Sequence, residues 1–539
     1  MAAPRCAKEV FEMHYPKTAI PLSMAVEELS LKPEMSLQEV EKLKRKHSQK
    51  LGLAQIISNS QLIAELKKRG ADGDAELIHK LRKSAVRSMS GVNVVAIMLP
   101  PVSCPYKCAY CPTSTIAAKS YTGHEPAALR ARQNDFDSYR QVESRLAQFE
   151  LNGHLTEKCE LIVMGGTFNT LAKSFQEEFV KRAYDAFNQK ESASLDQAII
   201  LNESARHRVV ALTFETRPDW AGKQHVQDFL RFGATRIELG VQSLDDEVLA
   251  KVKRGHGVAE TIDATRNCKD AFLKVGYHIM PGLYSTPDKD EQAMKTVFED
   301  QRFRPDMLKI YPTLVIPGTE LYELWKKGEF EPYDEEKAAE AIARMKKHVP
   351  EYCRIMRVDR DIPTHQIAAG VKKTNLRELV EKKCVELGIK CRCIRCREAG
   401  LRQHKRAQTI DFQNAHLKVD KYYASEGKEF FLHFEDASND ALIGFLRLRK
   451  PSEFGTEGNL SMGVRELRVY GEQLPIGDHS QTSSPQHKSF GKKLMQAAEE
   501  IAAQEGGQEL LVTSGVGVRE YYGKLGYCKS GTYMSKKLR

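Results

Sequence analysis

The sequence lacks any apolar run long enough to cross a bilayer. Its longest apolar stretch, residues 91–102, contains Asn93 and two prolines, whereas a membrane-spanning helix needs about 20 consecutive apolar residues. The first ten residues carry Arg5, Lys8 and Glu9 with no apolar segment behind them, so we expect no signal peptide. These absences predict a protein of the cytoplasm with no membrane partner.

Tryptophan is also scarce, with two in 539 residues, and hydrophobic residues make up 41% of the chain. This composition is typical of a globular protein, and the length suffices for about three to four domains. The twelve cysteines include six in two tight groups. Such groups predict metal ligation in a reducing compartment and argue against a disulfide framework.

The first cysteine group consists of Cys104, Cys108 and Cys111, which follow an apolar run at residues 92–99. Three thiolates on one loop can hold three irons of a four-iron, four-sulfur cluster and leave the fourth iron for a small ligand. A zinc loop is the alternative, because the C-x2-C spacing also suits zinc. No Cys or His lies between Cys111 and His124 to complete such a site, which favours the cluster.

Six β-rich runs alternate with helical segments in the first two thirds of the chain. This alternation predicts parallel βα units that form a partial barrel, with its chemistry at the carboxyl ends of the strands. The predicted strands are residues 92–99, 160–168, 209–216, 235–242, 275–281 and 307–315. The glycines and polar residues that we expect at those ends, facing a ligand, are Gly165, Gly166, Glu215, Arg217 and Gln242.

The second cysteine group consists of Cys391, Cys393 and Cys396, within a strongly basic segment. We predict a structural zinc site, which needs four ligands. His365 is the preferred fourth ligand, with His404 and Cys384 as alternatives. A second iron–sulfur cluster remains the other interpretation of this group.

Positive charge is concentrated in two blocks, although the net charge is only +10. Residues 42–90 and residues 372–408 each carry twelve Lys/Arg against four Asp/Glu. Two such blocks around a redox centre indicate a polyanionic substrate such as nucleic acid. The alternative is that both blocks are solvated helical faces.

Composition divides the chain into four predicted parts. A basic helical module is followed by the barrel, a cysteine-rich bridge and an α/β domain whose strands lie at residues 430–434, 442–448, 464–470 and 509–513. The predicted boundaries are 1–90, 91–350, 351–410 and 411–539.

A loop before the predicted helix 490–504 in the last part carries Gln486, Ser489 and Gly491. Backbone N–H groups at a helix N-terminus can cradle a pyrophosphate. The loop resembles the Q-x-x-G-x-G/A loop of the GCN5-related acetyltransferases, with Ser489 in place of the first glycine. The resemblance implies acetyl-CoA bound by a strand and this loop, and a tyrosine pair at the thioester. The residues it implies are Glu466, Leu467, Arg468, Val469, Gln486, Ser489, Phe490, Gly491, Lys492, Tyr521 and Tyr522.

The spacing of the first cysteine group resembles the radical S-adenosylmethionine (SAM) enzymes, which implies that SAM binds the open iron. Further motifs resemble the family of the catalytic third subunit of Elongator, from about residue 90 to the C-terminus. These motifs are VMGGTF (163–168), ETRPD (215–219), ELGVQS (238–243), RGH (254–256) and KIYPTLVI (309–316). The implied fold is a radical SAM partial (β/α)6 barrel fused to a GCN5-related N-acetyltransferase α/β domain.

The resemblance also implies the function. Such an enzyme carboxymethylates carbon 5 of the wobble uridine, binds the tRNA anticodon stem-loop, and acts with Elongator-like partner subunits or as a homodimer. By the same match, Lys158 aligns with a lysine implicated in acetyl-CoA binding. This chemistry requires the cluster and the thioester to share one chamber.

Two other functions remain open from the sequence. One is a lysine (histone) acetyltransferase with a structural or regulatory cluster, in which Glu466 is the available general base. The other is a tRNA-binding scaffold with a decayed cluster, which the intact three-cysteine loop disfavours.

Overall fold

The computed structural model describes residues 19–50, 56–69, 75–82, 91–102, 104–406, 408–471 and 489–538. It contains an N-terminal group of helices, a parallel sheet of seven strands, a connecting segment and a mixed sheet of seven strands. The predicted fold class, a partial radical SAM barrel joined to a second α/β domain, is confirmed.

In the described part of the N-terminal region, four helices form a group whose apolar faces share a small core of their own. Helix α3 begins with a capping box, in which the Ser58 side chain accepts from the backbone of Gln61. The group contacts the rest of the chain through Lys67 and Arg82, which donate to backbone carbonyls of Glu150 and Gly153. The helices are α1 (Ala19–Ser30), α2 (Leu37–Lys50), α3 (Asn59–Lys68) and α4 (Ala75–Leu81).

The parallel sheet runs in chain order from the first strand to the seventh and is an open half-barrel. Alternate residues of each strand face opposite sides. On β4, Ile237, Leu239 and Val241 belong to the core shared with the outer helices, whereas Arg236 and Glu238 face the interior. The strands are β1 (Asn93–Met98), β2 (Lys158–Met164), β3 (Arg208–Thr216), β4 (Arg236–Gln242), β5 (Lys274–Ile279), β6 (Met307–Ile310) and β7 (Arg354–Arg357).

Helices between these strands cover the outer face of the half-barrel. Several begin at side-chain caps: Asp137, Ser194 and Asp334 each accept from a backbone N–H in the first turn that follows. The helices are α5 (Pro126–Gln133), α6 (Ser138–Leu151), α7 (Lys173–Asn188), α8 (Leu195–Asn202), α9 (Lys223–Arg231), α10 (Asp246–Lys251), α11 (Val258–Asp270), α12 (Pro287–Glu299), α13 (Glu320–Lys326) and α14 (Glu335–Lys346).

The half-barrel has one strand more than the six predicted. Strand β7 pairs with β6 in parallel and lies beyond residue 350, where we placed the end of the barrel. Its four residues, Arg-Ile-Met-Arg, contain no apolar run that would mark a strand. A connecting segment follows, with helices α15 (Leu376–Glu386), α16 (Ile394–Arg397) and α17 (Ala399–Arg406).

The second sheet is mixed, with strand order β13-β14-β12-β11-β10-β9-β8. Helix α18 packs on one face, where Phe490, Leu494 and Ala498 join the core of this sheet. The elements are β8 (His416–Ala424), β9 (Gly427–Asp436), β10 (Ala441–Lys450), β11 (Ser461–Val469), α18 (Phe490–Gln504), β12 (Glu509–Val512), α19 (Arg519–Gly523), β13 (Cys528–Ser530) and β14 (Tyr533–Lys537).

The other face of the second sheet packs against the amino end of the half-barrel through buried charges. Arg465 donates to both carboxylate oxygens of Asp306, at 2.5 and 2.8 Å, and also to Glu429 at 3.0 Å. The ammonium group of Lys269 lies 3.4 Å from Asp306 and from Glu429. All four side chains are at most 1% exposed. Full pairing offsets the large cost of burying such charges.

Candidate active site

The first cysteine group lies on the loop that follows β1, at the carboxyl end of the half-barrel. Backbone bonds fix the loop: the N–H of Ala109 donates to Val252 O at 2.9 Å, and Ala109 O accepts from Leu321 N at 2.8 Å. The three thiols are each partly exposed. They are not among the described ligand groups whose atoms lie within 4.8 Å of one another. Thiolates that bind different corners of a cluster do not need so close an approach.

Two arginines lie against the central thiol of this group. Arg254 and Arg217 donate towards the Sγ atom of Cys108 at 3.5 and 3.9 Å. Arg254 is fixed by Gly240 O at 2.5 Å, and Arg217 in turn donates to Arg254 O at 2.7 Å. Guanidinium groups in these positions stabilise negative charge on a thiolate and on any cluster it holds.

Arg217 serves the cysteine loop and does not line the cavity beside it. Its guanidinium lies 3.3 Å from the centre of the Tyr106 ring and forms two bonds to Asp219, at 2.9 and 3.0 Å. Asp219 accepts from Tyr106 Oη at 2.7 Å, and Trp220 donates to the same hydroxyl at 2.9 Å. The expectation that Arg217 faces SAM is therefore not supported by its position.

The predicted glycine pair allows a close approach of two backbone segments. Gly165 has φ +103°, and a Cβ there would lie 2.6 Å from Ala118 Cβ. Gly166 N donates to Lys119 O at 3.1 Å. The loop after the cysteines thus rests directly on the end of β2, which only glycine permits at this φ.

A cavity of about 120 Å³ opens beside the cysteine loop. It is lined by Tyr110 and Cys111 on one side and by Glu215, Gln242 and Tyr311 on the other. Two of the predicted SAM residues, Glu215 and Gln242, therefore face the same cavity as a cluster cysteine.

Gln242 has a left-handed backbone, with φ +71°, which is a strained conformation for this residue. Its side chain and that of Met280 also line a neighbouring cavity of about 510 Å³. The strained residue thus lies in the partition between two cavities.

A group of charged side chains lies beneath the smaller cavity, inside the half-barrel. Lys309 donates to Glu215 at 2.8 Å and also contacts Glu238, and His278 Nε2 lies 3.0 Å from Glu238. Burial alone would raise the pKa of Glu238, but Lys309 and Arg236 hold it well below its usual range. Sequence reasoning missed this group, although charged residues within buried strands were a signal for it.

Two parallel strands of the second sheet diverge beside the strand that the resemblance implied for acetyl-CoA, and the gap between them is called the coenzyme cleft below. Strands β11 and β12 pair only from Ser461–Glu509 to Val464–Val512. Among the described strands, β11 pairs beyond this point with β10 alone. The backbone edge of Leu467 that faces away from β10 therefore borders the cleft. An open strand edge can pair with the amides of an extended ligand.

The start of helix α18 closes one side of this cleft. Ser489 adopts a left-handed conformation, with φ 60°, immediately before the helix. Phe490 is buried against Phe434, with ring centres 4.9 Å apart, whereas Lys492 in the first turn is exposed. Gln486 lies outside the described residues.

The two predicted tyrosines occupy different surroundings. The hydroxyl of Tyr521 lies 2.8 Å from the position of a Cβ on Gly491, and Val469 approaches the same position at 3.9 Å. Tyr522 is buried in the core of the second sheet, and burial raises the pKa of its hydroxyl. The cleft thus brings together Tyr521, Gly491 and Val469. Tyr522 packs in the core of the second sheet.

Glu466 does not face the cleft as a general base would. Its carboxylate accepts from Arg447 at 2.9 Å and lies 3.9 Å from Lys274 of the half-barrel. Burial alone would raise its pKa, but Lys274 and Arg447 lower it to about 2. A general base works best with a pKa near the working pH, so this position does not support the acetyltransferase alternative that relied on it.

Lys158 lies at the first position of β2, where it pairs in register with Arg208 of β3. Burial lowers the pKa of its ammonium group. Arg208 lies against Gly517 and donates to Glu520, both in the segment that follows β12, so Lys158 lies at the amino end of the half-barrel that faces the second sheet.

The second cysteine group is tighter than the first. The Sγ atoms of Cys391, Cys393 and Cys396 all lie within 4.8 Å of one another, a spacing that suits ligands of one ion. Burial alone would lower the pKa of the neighbouring Lys346, but the thiols of Cys391 and Cys396 raise it.

His365 does not lie with these cysteines. Cys353, just before β7, accepts from Ile394 N at 2.9 Å, which places the second group at the amino end of that strand. His365 follows the carboxyl end of β7, and its ring centre lies 5.8 Å from that of His124. The side chain of His404 lies outside the described part of the chain. Cys384 is near Cys393 and Lys346.

Each of the two basic blocks contains buried side chains as well as exposed ones. Arg397 is fully buried and pairs with Glu351 and Glu435, and Arg402 donates to Cys396 O at 3.1 Å. Lys44 is also buried, bound to Asn59 at 2.8 Å. Part of each block therefore stabilises the fold.

Within the described ranges, no helix is both long and apolar enough to span a membrane.

The fold and the cysteine loop define a radical SAM protein. Residues 98–297 match the family model described as Radical SAM superfamily, and residues 305–386 match the model described as Radical_SAM C-terminal domain. Such a domain implies a four-iron, four-sulfur cluster and SAM, as we predicted from the spacing of Cys104, Cys108 and Cys111.

Similarity to known proteins extends over most of the chain. The tRNA uridine(34) acetyltransferase of Methanocaldococcus jannaschii is 48% identical over 472 residues, covering 86% of this chain and 87% of that protein. Elongator complex protein 3 of Saccharomyces cerevisiae is 41% identical, covering 86% of each. The solved structure of Methanocaldococcus infernus Elp3 with an N-terminal deletion has a TM-score of 0.75 at 46% identity, covering 83% of this chain and 100% of that one.

The chain therefore belongs to the family of the tRNA uridine(34) acetyltransferases and Elongator complex protein 3. The family predicted from the sequence motifs is confirmed. The chain is an enzyme of this family with a radical SAM domain.

Proposed function

We propose that this protein carboxymethylates carbon 5 of the wobble uridine of tRNA, with SAM as the radical source and acetyl-CoA as the donor of the two-carbon unit. One observation carries the proposal. One chain of this family combines a three-cysteine loop on the half-barrel with a second sheet in which two parallel strands diverge.

Cys104, Cys108 and Cys111 would hold the cluster at the carboxyl end. When bound, the cluster and SAM would supply radical chemistry for removing a hydrogen atom from the acetyl methyl group. Arg217 and Arg254 stabilise negative charge at Cys108, and buried Tyr110 excludes water from this side. Gly165, Gly166, Glu215 and Gln242 offer backbone and side-chain partners for SAM.

The open edge of β11 and the start of α18 would hold acetyl-CoA. Thr513 at the end of β12 carries a buried hydroxyl with no partner among the described residues, so this end of the cleft has an unused hydrogen-bonding group. The proposed contacts are the backbone of Glu466, Leu467, Arg468 and Val469, together with Lys158, Gln486, Ser489, Phe490, Gly491, Lys492, Tyr521 and Tyr522.

Buried charged side chains, among them Lys309, Glu238 and Arg236, lie in the half-barrel interior between the two ends. We expected one chamber shared by the cluster and the thioester. The proposal requires the acetyl group to pass these side chains to the cavity beside Cys111, and they would have to move. We propose that substrate binding causes this movement, with the uridine splayed out of the anticodon loop as in other single-stranded RNA recognition.

A zinc ion at Cys391, Cys393 and Cys396 is part of the proposal, as a structural ion between the two sheets. Cys384 now has the better position for the fourth ligand, because His365 lies at the other end of β7. Metal analysis of Cys393→Ser and Cys384→Ser protein tests this assignment. Both substitutions should lower zinc content and leave iron content unchanged, and His365→Ala should change neither.

The remaining proposals concern partners and location. Exposed members of the two basic blocks would contact the backbone of the tRNA anticodon stem-loop, so that binding weakens steeply as salt concentration rises. Elongator-like subunits or a second copy of the chain are the proposed protein partners. The cytoplasmic location stays a prediction.

The decisive experiment is anaerobic incubation of the reconstituted protein with SAM, a reductant, methyl-labelled acetyl-CoA and tRNA. Mass analysis of the nucleosides should show a labelled carboxymethyl group on uridine, and 5′-deoxyadenosine should form. Cys108→Ala should abolish both products. The matched control is Cys528→Ala, because Cys528 is exposed and lies outside both cysteine groups.

A different outcome would replace the proposal. Acetylation of a lysine-containing peptide that survives Cys108→Ala, without any change in tRNA, would assign the chain to protein acetylation.

A further inference from the structure

The half-barrel contacts both strands that form the coenzyme cleft, on each side of the point where they diverge. The first strand, β11, is held through a bulge. Arg447 pairs with Glu466, and the next residue, Leu448, pairs with Val464, so Arg465 is left unpaired in the ladder. A bulge turns neighbouring side chains towards one face. Both Arg465 and Glu466 consequently reach charged groups of the half-barrel.

A close contact adds to this attachment of β11. Gly463 lies over the ring of Phe272 in the turn between α11 and β5, where a Cβ would collide with the ring. Arg465 also donates to Leu273 O at 2.7 Å. The first strand of the cleft therefore lies directly on this turn of the half-barrel, held by packing and by buried ionic bonds.

The second strand, β12, continues into a segment that lies on β3. Cys159 pairs with Val209 and Glu160 with Ala211, so Val210 is a bulge in the ladder. A Cβ at Gly515 would collide with Val210 O, and a Cβ at Gly517 would collide with Arg208 Cβ.

An ion pair reinforces the second contact. Arg208 donates to Glu520 at 2.7 Å, just beyond the 3-10 helix Val516–Val518. Neither Gly515 nor Gly517 has a positive φ. The glycines are therefore required by space, which means that the second side of the cleft is also fixed by the half-barrel.

We propose that the half-barrel sets the width of the acetyl-CoA cleft, with Arg208 and Phe272 as positioning residues. This inference rests on the proposed function, because it assumes that acetyl-CoA binds between β11 and β12. The backbone of Arg208 also pairs in register with that of Lys158, so the same contact positions the start of the strand that carries that lysine. The affinity for acetyl-CoA is thus a property of the whole chain.

The test compares alanine at two glycines of the same segment in the full-length, reconstituted protein. Gly517→Ala pushes the second side of the cleft away from β3, whereas a Cβ at Gly523 meets nothing within 4 Å. Calorimetric titration under anaerobic conditions gives the Kd of acetyl-CoA and of SAM. We expect Gly517→Ala to raise the Kd of acetyl-CoA about tenfold or more, as overpacking of this size implies. The Kd of SAM should not change, and Gly523→Ala should match the unsubstituted protein.

A second-site substitution separates positioning from general damage. The atom nearest to a Cβ at position 517 is the Cβ of residue 208. Arg208→Gly removes that Cβ, whereas Arg208→Ala keeps it. Both variants lose the ion pair with Glu520, so the comparison isolates the collision: combined with Gly517→Ala, Arg208→Gly should bind acetyl-CoA more tightly than Arg208→Ala does. In turnover, Gly517→Ala should raise the KM for acetyl-CoA and leave kcat at saturation unchanged.

Glu520→Gln provides a milder variant in case Gly517→Ala does not fold. Loss of a partly exposed ion pair should raise the Kd of acetyl-CoA about threefold. Unchanged acetyl-CoA affinity in the folded variants, or an equal loss of SAM affinity, overturns the inference alone. Failure of the unsubstituted protein to bind acetyl-CoA overturns the proposed function and this inference with it.

Discussion

The two ends of the half-barrel use charged residues in opposite ways. At the carboxyl end, Arg217 and Arg254 surround a thiol beside a cavity. At the amino end, Asp306 and Arg465 are wholly buried and pair with each other across two sheets. Charge at one end is available to a ligand, and charge at the other joins two domains.

This difference agrees with a general property of βα barrels, whose carboxyl ends carry chemistry and whose amino ends carry stability. The present chain adds a qualification. Its amino end also carries the predicted coenzyme cleft, so a substitution there should affect stability and coenzyme affinity together.

The strongest test of the comparison is Cys111→Ala at the carboxyl end. Loss of one of three thiolates should abolish cluster binding and product formation, as measured by iron analysis and nucleoside mass spectrometry. The free energy of unfolding of the iron-free protein should change by about 1 kcal/mol or less. A larger loss of stability would show that the carboxyl end also holds the fold together.

At the amino end, Asp306→Ala should have the reverse effect. It leaves Arg465, Lys269 and Arg447 without their shared counter-ion, which should cost about 3–5 kcal/mol in urea unfolding. Cluster content should stay the same. Asp300→Ala is the control, because the ion pair of Asp300 in the described part of the chain is with exposed Arg302, and its loss should cost about 1 kcal/mol or less. Equal losses of unfolding free energy in Asp306→Ala and Asp300→Ala would contradict the proposed difference between the two ends.

The pH dependence of the stability of Glu466→Gln tests whether Glu466 is held ionised at the amino end. The folded-state pKa of Glu466, about 2, lies below the ordinary value of 4.5, so its ionised form stabilises the fold above pH 4.5. The shift corresponds to roughly 3 kcal/mol at neutral pH. The stability difference between wild type and variant should be constant from neutral pH to about pH 5.5 and shrink as pH falls towards 2. A difference independent of pH would mean that Glu466 is not held ionised.

The smallest expected effect belongs to Arg217→Lys at the carboxyl end. A lysine cannot keep the two bonds to Asp219 and the contact with Cys108 at once. The rate of 5′-deoxyadenosine formation should fall roughly tenfold, as for other residues that orient metal ligands. The KM for SAM should not change. A raised KM with an unchanged kcat would instead support direct binding of SAM by Arg217.

Much of the fold followed from local pattern. Strands β2 to β5 were predicted within a few residues because they combine β-branched and apolar residues over six or more positions. Helix α18 was predicted at residues 490–504 because its apolar positions recur at helical spacing. Strand β8, with Lys418 and Asp420 on an exposed edge, was missed because edge strands need no apolar run.

The site was predictable only in part. Cysteine spacing and the glycine pair revealed the position of the cluster loop and the end of β2, because those features are local in sequence. The pairing of Lys309 with Glu215 and Glu238 depends on the register of three strands, which no local pattern fixes. The same limit explains why His365 was expected beside the second cysteine group. It lies between β7 and that group in sequence but at the opposite end of β7 in space.

The buried ion pairs between the two sheets have a consequence for how the molecule melts. Neither sheet can leave the other without separating Asp306 of the half-barrel from Arg465, and Lys269 of the half-barrel from Glu429. Barrel and coenzyme domain should thus lose their structure in one cooperative heat-absorption peak, and a C-terminal fragment expressed alone should fail to form its sheet.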